Sequence, residues 1–190
     1  MIKVYHGPMY SGKTKELVKE YGDGKGVLAF RPAIDNRYGA NGRMYSKEKE
    51  YSAPAVNIDH TKPLRIIEAL DQYVDTFKII IDEVSFFPTE IFLEVVASLV
   101  ERNKTVIVGG LAYDANQNPW GPILELLTWK DVQEIALMAD CDGNERTCKN
   151  PAIWSYAKTP KKERLEVGAE DLYGASCDRH YQTLHVANFT

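Results

Sequence analysis

Residues 7–14 read Gly7-Pro8-Met9-Tyr10-Ser11-Gly12-Lys13-Thr14 and satisfy the spacing G-x-x-x-x-G-K-[ST]. That spacing suits capture of a phosphate chain. Gly7 and Gly12 let backbone N–H groups approach phosphate oxygens, Lys13 offers an ammonium to the outer phosphates, and Thr14 offers a hydroxyl to a magnesium ion. The plainer reading is an ordinary Gly-Pro turn ahead of a helix that Lys13 helps to cap. A second group, Asp82-Glu83, follows Ile79-Ile80-Ile81 directly, so two carboxylates emerge at the carboxyl end of a buried strand, where open α/β sheets bind ligands. In this Walker-B-like position Asp82 would hold the metal and Glu83 would accept a proton from whatever attacks the γ-phosphate. The acceptor stays open at this point: water in an ATPase, a hydroxyl in a kinase. The alternative is a solvated acidic pair ahead of Pro88. A third group, Cys141, Cys148, Cys177 and His180, is spaced Cys-x6-Cys and Cys-x2-His. The second half has metal-ligand spacing and the first is wider than the usual knuckle. The set predicts a closed, tetrahedral structural zinc site, against three buried free thiols as the alternative. His185 is a reserve ligand; His6 and His60 read as structural or surface residues.

These groups need elements to position them. Ile2-Lys3-Val4-Tyr5 is a short strand leading into the glycine-rich turn, and residues 13–21 form a helix that stops at Gly22. Its positive end would face the bound anion. Gly26 to Phe30 is a second strand, followed by a long polar stretch from Ala33 to Pro54 with little periodicity, expected to be a functional or mobile loop. Leu64, Ile67, Leu70 and Tyr73 recur at helical spacing after Pro63, and Phe77 to Ile81 is a strand buried on both faces. Pro88 opens a helix over Thr89 to Arg102, and Thr105 to Val108 returns as a strand ending at Gly109-Gly110. Strands alternating with helices predict an α/β fold with a parallel sheet and right-handed crossovers. After Met138 the chain becomes small, polar and cysteine-bearing. This predicts two domains, a nucleotide-binding domain over 1–138 and a metal-bound appendage over 139–190, which has few large apolar residues and would need a staple.

Composition narrows the ligand. The 190 residues are 44 % hydrophobic and 26 % charged, as in an ordinary globular protein, which excludes disorder as the default. With 23 basic against 27 acidic side chains the net charge is −4, so there is no overall basic field to hold a long nucleic acid, and a small phosphorylated ligand is favoured. The N-terminus carries no signal-like apolar run and no segment approaches the ~20 residues needed to span a bilayer, so a cytoplasmic location and no membrane partner are expected. Three cysteines in a reducing compartment are not a disulfide framework.

Several segments, in order along nearly the whole chain, resemble the zinc-containing (type II) thymidine kinase family. Residues 7–14 look like its phosphate loop. Arg31-Pro32-Ala33-Ile34-Asp35-Asn36-Arg37-Tyr38-Gly39 looks like its lysine-proline-x-x-aspartate-x-arginine-tyrosine segment, and Asp82-Glu83-Val84-Ser85-Phe86-Phe87 like its aspartate-glutamate-x-glutamine-phenylalanine motif. Gly110-Leu111 with Pro119-Trp120-Gly121-Pro122, and Val167-Gly168 with Tyr173-Gly174-Ala175-Ser176-Cys177, resemble its later glycine-leucine-aspartate loop and its substrate-clamping lasso.

The resemblance implies a P-loop, RecA-like core with a small zinc-bound C-terminal lasso domain, and transfer of the ATP γ-phosphoryl group to the 5′-hydroxyl of thymidine or deoxyuridine. Glu83 would be the base. Gly7, Met9, Ser11, Gly12, Lys13, Thr14, Asp35, Arg37 and Asp82 would serve ATP and magnesium. Met9, Phe86, Trp120, Gly168 and Tyr173 would hold the nucleoside, whose flat base suits aromatic and soft apolar walls. Core packing is the alternative for Phe86 and Trp120, and is the favoured reading of Phe87. The cation-rich run from Tyr156 to Arg164 would begin the mobile lasso, anchored by zinc at both ends so that it can close and exclude water. A homotetramer, or a dimer, is implied as well.

The chain departs from the family where Ser85 stands for glutamine, Ala112 for aspartate and Ala115 for phenylalanine, changes that enlarge or rewire the nucleoside side. Glu145 stands where the first zinc cysteine is usual, so Cys141 must reach back through a loop containing Gly143. Two other readings remain: a kinase for a different deoxynucleoside, and a P-loop ATPase whose Cys/His ribbon binds nucleic acid or a protein.

Overall fold

Three consecutive isoleucines can all be buried only in a strand covered on both faces, and Ile79, Ile80 and Ile81 are fully buried in the computed structural model. It describes residues 1–35, 41–47, 49–143, 147–158 and 172–186, apart from the side chains of 185 and 186. The expectations for Arg37, Glu145, Gly168, the side chain of His185 and most of the lasso run lie outside the described residues.

The chain opens with β1 (Ile2–His6), α1 (Lys13–Tyr21), β2 (Val27–Pro32), β3 (Arg43–Tyr45), β4 (Ser52–Pro54), β5 (Val56–Ile58) and α2 (Arg65–Leu70). It continues through β6 (Lys78–Ile81), a 3-10 turn (Val84–Phe86), α3 (Thr89–Glu101), β7 (Thr105–Gly110), α4 (Ile123–Leu126) and β8 (Val132–Ala136). The last elements are β9 (Ala139–Asp140), β10 (Pro151–Ala152), β11 (Trp154–Ala157), β12 (Tyr173–Ser176) and α5 (Asp178–Val186). Six strands pair in the order β5-β2-β6-β7-β1-β8, all parallel. Pairs β9–β10 and β11–β12 are small antiparallel ribbons.

Strand alternation divides the core into two layers. Ile79 and Ile81 pack with Phe30, Val106 and Val108 against Ile66, Phe92, Val95, Val96, Leu99 and Leu126, so α2, α3 and α4 cover one face. Ile80, Ala29, Ile107 and Tyr5 face the other way, against Leu17 of α1 and against Met44 and Ala53. Leu17 is fully buried, worth about 2 kcal/mol of transfer free energy. Gly109 makes this approach possible: a Cβ there would stand 2.7 Å from Leu17 Cδ1.

Within the stretch expected to be one polar loop, β3 and β4 form a hairpin, and just after it β5 adds an edge strand beside β2. Three-residue strands present one inward side chain each, too few for a period to register. In α2 the buried residues are Ile66 and Leu70, whereas Leu64 and Tyr73 flank the helix at 52% and 50% exposure. The central strand starts at Lys78, and Phe77 is exposed. Among the described residues no helix is long and apolar enough to cross a membrane.

Candidate active site

The glycine-rich loop over residues 7–12 leaves β1 at the carboxyl end of the sheet and enters α1, whose N-cap Gly12 (φ 85°) supplies no side-chain cap. The first-turn amides therefore face the loop. Gly7 adopts φ 151°, and a Cβ on it would overlap the Leu137 carbonyl. Tyr10 holds a positive φ of 66° without being glycine. Lys13 is 7% exposed; its ammonium donates to the Gly7 carbonyl at 3.0 Å and the Pro8 carbonyl at 2.7 Å, and lies 3.4 Å from Ser11 Oγ. The Met9 N–H donates to Ser155 Oγ on β11 at 2.9 Å.

Two sheet positions from β1, beyond β7, β6 delivers the acidic pair. Thr14 Oγ1 donates to Asp82 Oδ2 at 2.9 Å, and the Glu83 N–H donates to Asp82 Oδ1 at 2.9 Å. Burial first, then the neighbouring negative charges of Glu83 and Asp35, push the Asp82 carboxyl up to about 7, against the lowering effect of the Thr14 hydrogen bond. Glu83 sits at φ 52°, ψ 42°, a left-handed conformation that costs a non-glycine residue roughly 1 kcal/mol or more. Such strain persists where the surroundings fix it. Asp35 is buried and paired with Arg31, Nη2 to Oδ2 3.1 Å. The same Arg31 donates to the Asp35 carbonyl and, at 2.6 Å, to the Arg43 carbonyl, tying the end of β2 to the hairpin.

Beyond Glu83, the 3-10 turn carries Phe86, whose ring meets Trp120 edge to face at 5.3 Å. Ser85, 3% exposed, brackets Leu111: its hydroxyl accepts from the Leu111 N–H at 2.7 Å and donates to the Leu111 carbonyl at 2.8 Å. The Trp120 N–H donates to the Ala112 carbonyl. Ala115 and Tyr173 are buried together with Ala157, against Met9 and Leu172. Phe87 stacks on Phe92 in the core, as favoured for it.

The four predicted zinc ligands converge: Cys141, Cys148, Cys177 and His180 bring their donor atoms within 4.8 Å of one another. His180 Nδ1 lies 3.5 Å from both Cys141 Sγ and Cys177 Sγ. Bond lengths of about 2.3 Å to sulfur and 2.1 Å to nitrogen would put tetrahedral S and N about 3.6 Å apart, so the donor set fits zinc. Backbone N–H groups of Gly143 and Cys177 point at Cys141 Sγ, and that of Asn150 at Cys148 Sγ. Burial pushes the Cys141 thiol up. Burial also opposes ionisation of Cys177, but the His180 N–H and neighbouring side chains outweigh it and draw that thiol down. Gly143 is required here, because a Cβ would overlap the His180 ring.

The structure thus brings Thr14, Asp82, Glu83 and Asp35 to one end of the sheet, with Lys13 folded into the loop and Met9, Phe86, Trp120 and Tyr173 on the flanks. Sequence reasoning assigned no role to Ser155, Tyr10 or Arg31. The Met9–Ser155 contact joins residues 146 apart in the chain and leaves no local signal; Arg31 carried one, a cation in an otherwise apolar strand.

A family model described as thymidine kinase matches residues 1–181. Thymidine kinases of Ureaplasma urealyticum serovar 10 and Ureaplasma parvum serovar 3 are each 30% identical over 188 residues, which is 95% of this chain and 82% of theirs. The chain belongs to the thymidine kinase family.

Proposed function

We propose that this kinase transfers the γ-phosphoryl group of ATP to the 5′-hydroxyl of thymidine or deoxyuridine. The observation that carries the reading is the Thr14–Asp82 contact at the mouth of an uncapped helix, with Glu83 held in a strained conformation beside it. Gly7, Ser11 and Gly12 would shape the loop around the phosphates, and Lys13 would exchange the Gly7 and Pro8 carbonyls for phosphate oxygens. Met9 keeps its N–H on Ser155, so its contribution would come from the side chain, toward the base. The hard oxygen donors of Thr14 and Asp82 suit magnesium, directly or through water, and the family resemblance assigns Asp35 and Arg37 to the same phosphate and metal region. Magnesium, when bound, supplies positive charge to the β- and γ-phosphate oxygens, and it would favour the Asp82 carboxylate over its acid form.

Glu83 accepts the 5′-hydroxyl proton as the new phosphorus–oxygen bond forms, while the bond to the ADP oxygen breaks. Phe86 and Trp120 form an aromatic wall for the base, and Tyr173, with the backbone near Gly168, closes on the sugar. The Cys141, Cys148, Cys177 and His180 set would hold zinc as a closed structural staple for the appendage over 139–190, leaving 1–138 as the kinase domain. A cytoplasmic homotetramer, or dimer, belongs to the same proposal, supported by the family resemblance.

The deciding experiment incubates purified protein with magnesium and ATP and each of four deoxynucleosides, with zinc measured on the same sample. Thymidine 5′-monophosphate as the main product is expected. A different preferred deoxynucleoside would transfer the reading to that substrate. ATP hydrolysis stimulated by DNA, with no nucleotide product, would replace it with an ATPase.

A further inference from the structure

Two side-chain contacts join the phosphate loop to the Cys/His cluster. Tyr10 sits in the loop at φ 66°. Its ring packs against the small core made by Cys141, Ala152, Ala175 and Cys177, its hydroxyl donates to the Tyr173 carbonyl at 3.3 Å, and Lys47 Nζ stands 4.6 Å from its ring centroid. The neighbouring Met9 N–H is held by Ser155 Oγ, and Ser155 is 5% exposed.

Ser155 is paired across the β11–β12 ribbon with Ala175, two residues before Cys177. Ala175 is fastened in turn to the residue after Cys141: the Asp142 N–H donates to the Ala175 carbonyl at 2.9 Å, and the Ala175 N–H donates to Asp142 Oδ2 at 3.0 Å. The path from two metal-ligand candidates to two consecutive loop residues is therefore short; Ser155, Tyr173 and Ala175 on it are buried, and Met9, Tyr10 and Asp142 half-buried. A left-handed tyrosine persists only where its surroundings over-determine it. Here the surroundings are the cluster core and the ends of β11 and β12.

Resting on the ATP and zinc readings above, we propose that Tyr10 and Ser155 are positioning residues through which the Cys/His cluster sets the conformation of the phosphate loop. A coupling between two binding sites is reciprocal. A metal-filled cluster strengthens ATP binding, and bound ATP retards loss of the metal by the same factor.

The test uses the full chain loaded with zinc and challenged by a chromogenic zinc chelator, with and without ATP in excess magnesium and no nucleoside. ATP is expected to slow zinc release about tenfold, within the ordinary range of coupling between sites. In a Tyr10→Phe, Ser155→Ala double variant that starts with full zinc, the protection should fall below about twofold. Its Kd for ATP, read by calorimetric titration without nucleoside, should rise several-fold. Tyr10→Phe alone, which keeps the ring and drops only the hydroxyl, should give an intermediate protection and guards against misfolding of the double variant. Equal release rates with and without ATP, in a protein that calorimetric titration shows to bind ATP, would overturn the coupling and leave the kinase reading standing. Full protection retained by the double variant would also overturn the assignment. A chain that binds no ATP or no zinc would overturn the earlier reading and this one together.

Discussion

Removing the Ser85 hydroxyl is the cleanest way to probe the wall behind the proposed base. Ser85 Oγ both donates to and accepts from the backbone of Leu111, and all three groups are buried. Ser85→Ala leaves an N–H with no partner and a carbonyl with one fewer, in a place water reaches poorly. A buried polar group stripped of its partner costs about 1–3 kcal/mol, and because the carbonyl keeps a second lone pair, the sum should fall near 2–3 kcal/mol. In a chain of this size that is a fall in Tm of about 4–12 °C. The loss is directional as well. Leu111 precedes Ala112, whose carbonyl accepts from Trp120, and Trp120 meets Phe86 on the turn that contains Ser85. Slackening this bracket should raise the nucleoside KM while leaving the KM for ATP within about twofold. Differential scanning calorimetry and initial-rate kinetics on the same preparation read both effects. A Tm within about 1 °C of the parent would refute the hydrogen-bond argument, and a raised KM for ATP with an unchanged nucleoside KM would refute the placement of Ser85 behind the nucleoside wall.

Glu83→Gln should bind ATP normally in calorimetric titration and lose about 10²–10⁴ of its turnover, whereas Glu83→Gly should raise stability by roughly 1 kcal/mol because the left-handed backbone no longer carries a side chain, and should also be inactive. Cys177→Ser or His180→Ala should lower metal content, read by atomic emission, and impair folding; unchanged zinc would exclude those side chains as ligands. Alkaline stability should report on Tyr5, whose phenol burial and then the Glu20 hydrogen bond raise from 10.0 to about 12. The folded protein thus favours the protonated phenol, so its contribution is complete below pH 10 and is lost as pH rises through about 12; Tyr5→Phe should flatten that part of the Tm profile, and an identical slope in the variant would refute the shift.

Contiguous chemistry was the readable part of this chain. The glycine-rich loop over 7–14, the carboxylates after the isoleucines and the Cys-x2-His pair each lie within a few residues, so spacing alone singles them out as candidates, and the structure brings Thr14 onto Asp82 and Cys177 and His180 into the Cys/His cluster. Long periodic elements were readable too: α3 buries Phe92, Val95, Val96 and Leu99 at the expected helical interval. The β3–β4 hairpin was not, because strands of three residues have no period to detect. Neither was the face of α2, where Leu64 and Tyr73 fitted a helical pattern but fall outside a helix of six residues. Ser85 was legible as a departure from the family. That its hydroxyl would be spent on Leu111 depended on the parallel pairing of β6 with β7 through the α3 crossover, which brings residues 26 apart into contact at the carboxyl ends of the two strands.

The sheet order carries a consequence for how this protein is made. β1, the earliest of these strands in the chain, lies between β7 and β8, so both of its hydrogen-bonded edges wait for residues 105–136 to be synthesised. Ser155 and the Tyr173 carbonyl, which hold Met9 and Tyr10 of the glycine-rich loop, arrive later still. N-terminal fragments can bury α1 or the hairpin against β2 and β6, yet they lack the partners that shape the loop. Nascent chains should therefore stay protease-sensitive and unable to retain nucleotide until residues 173–176 have been synthesised, and the long-range strand pairing that completes the sheet should be slow.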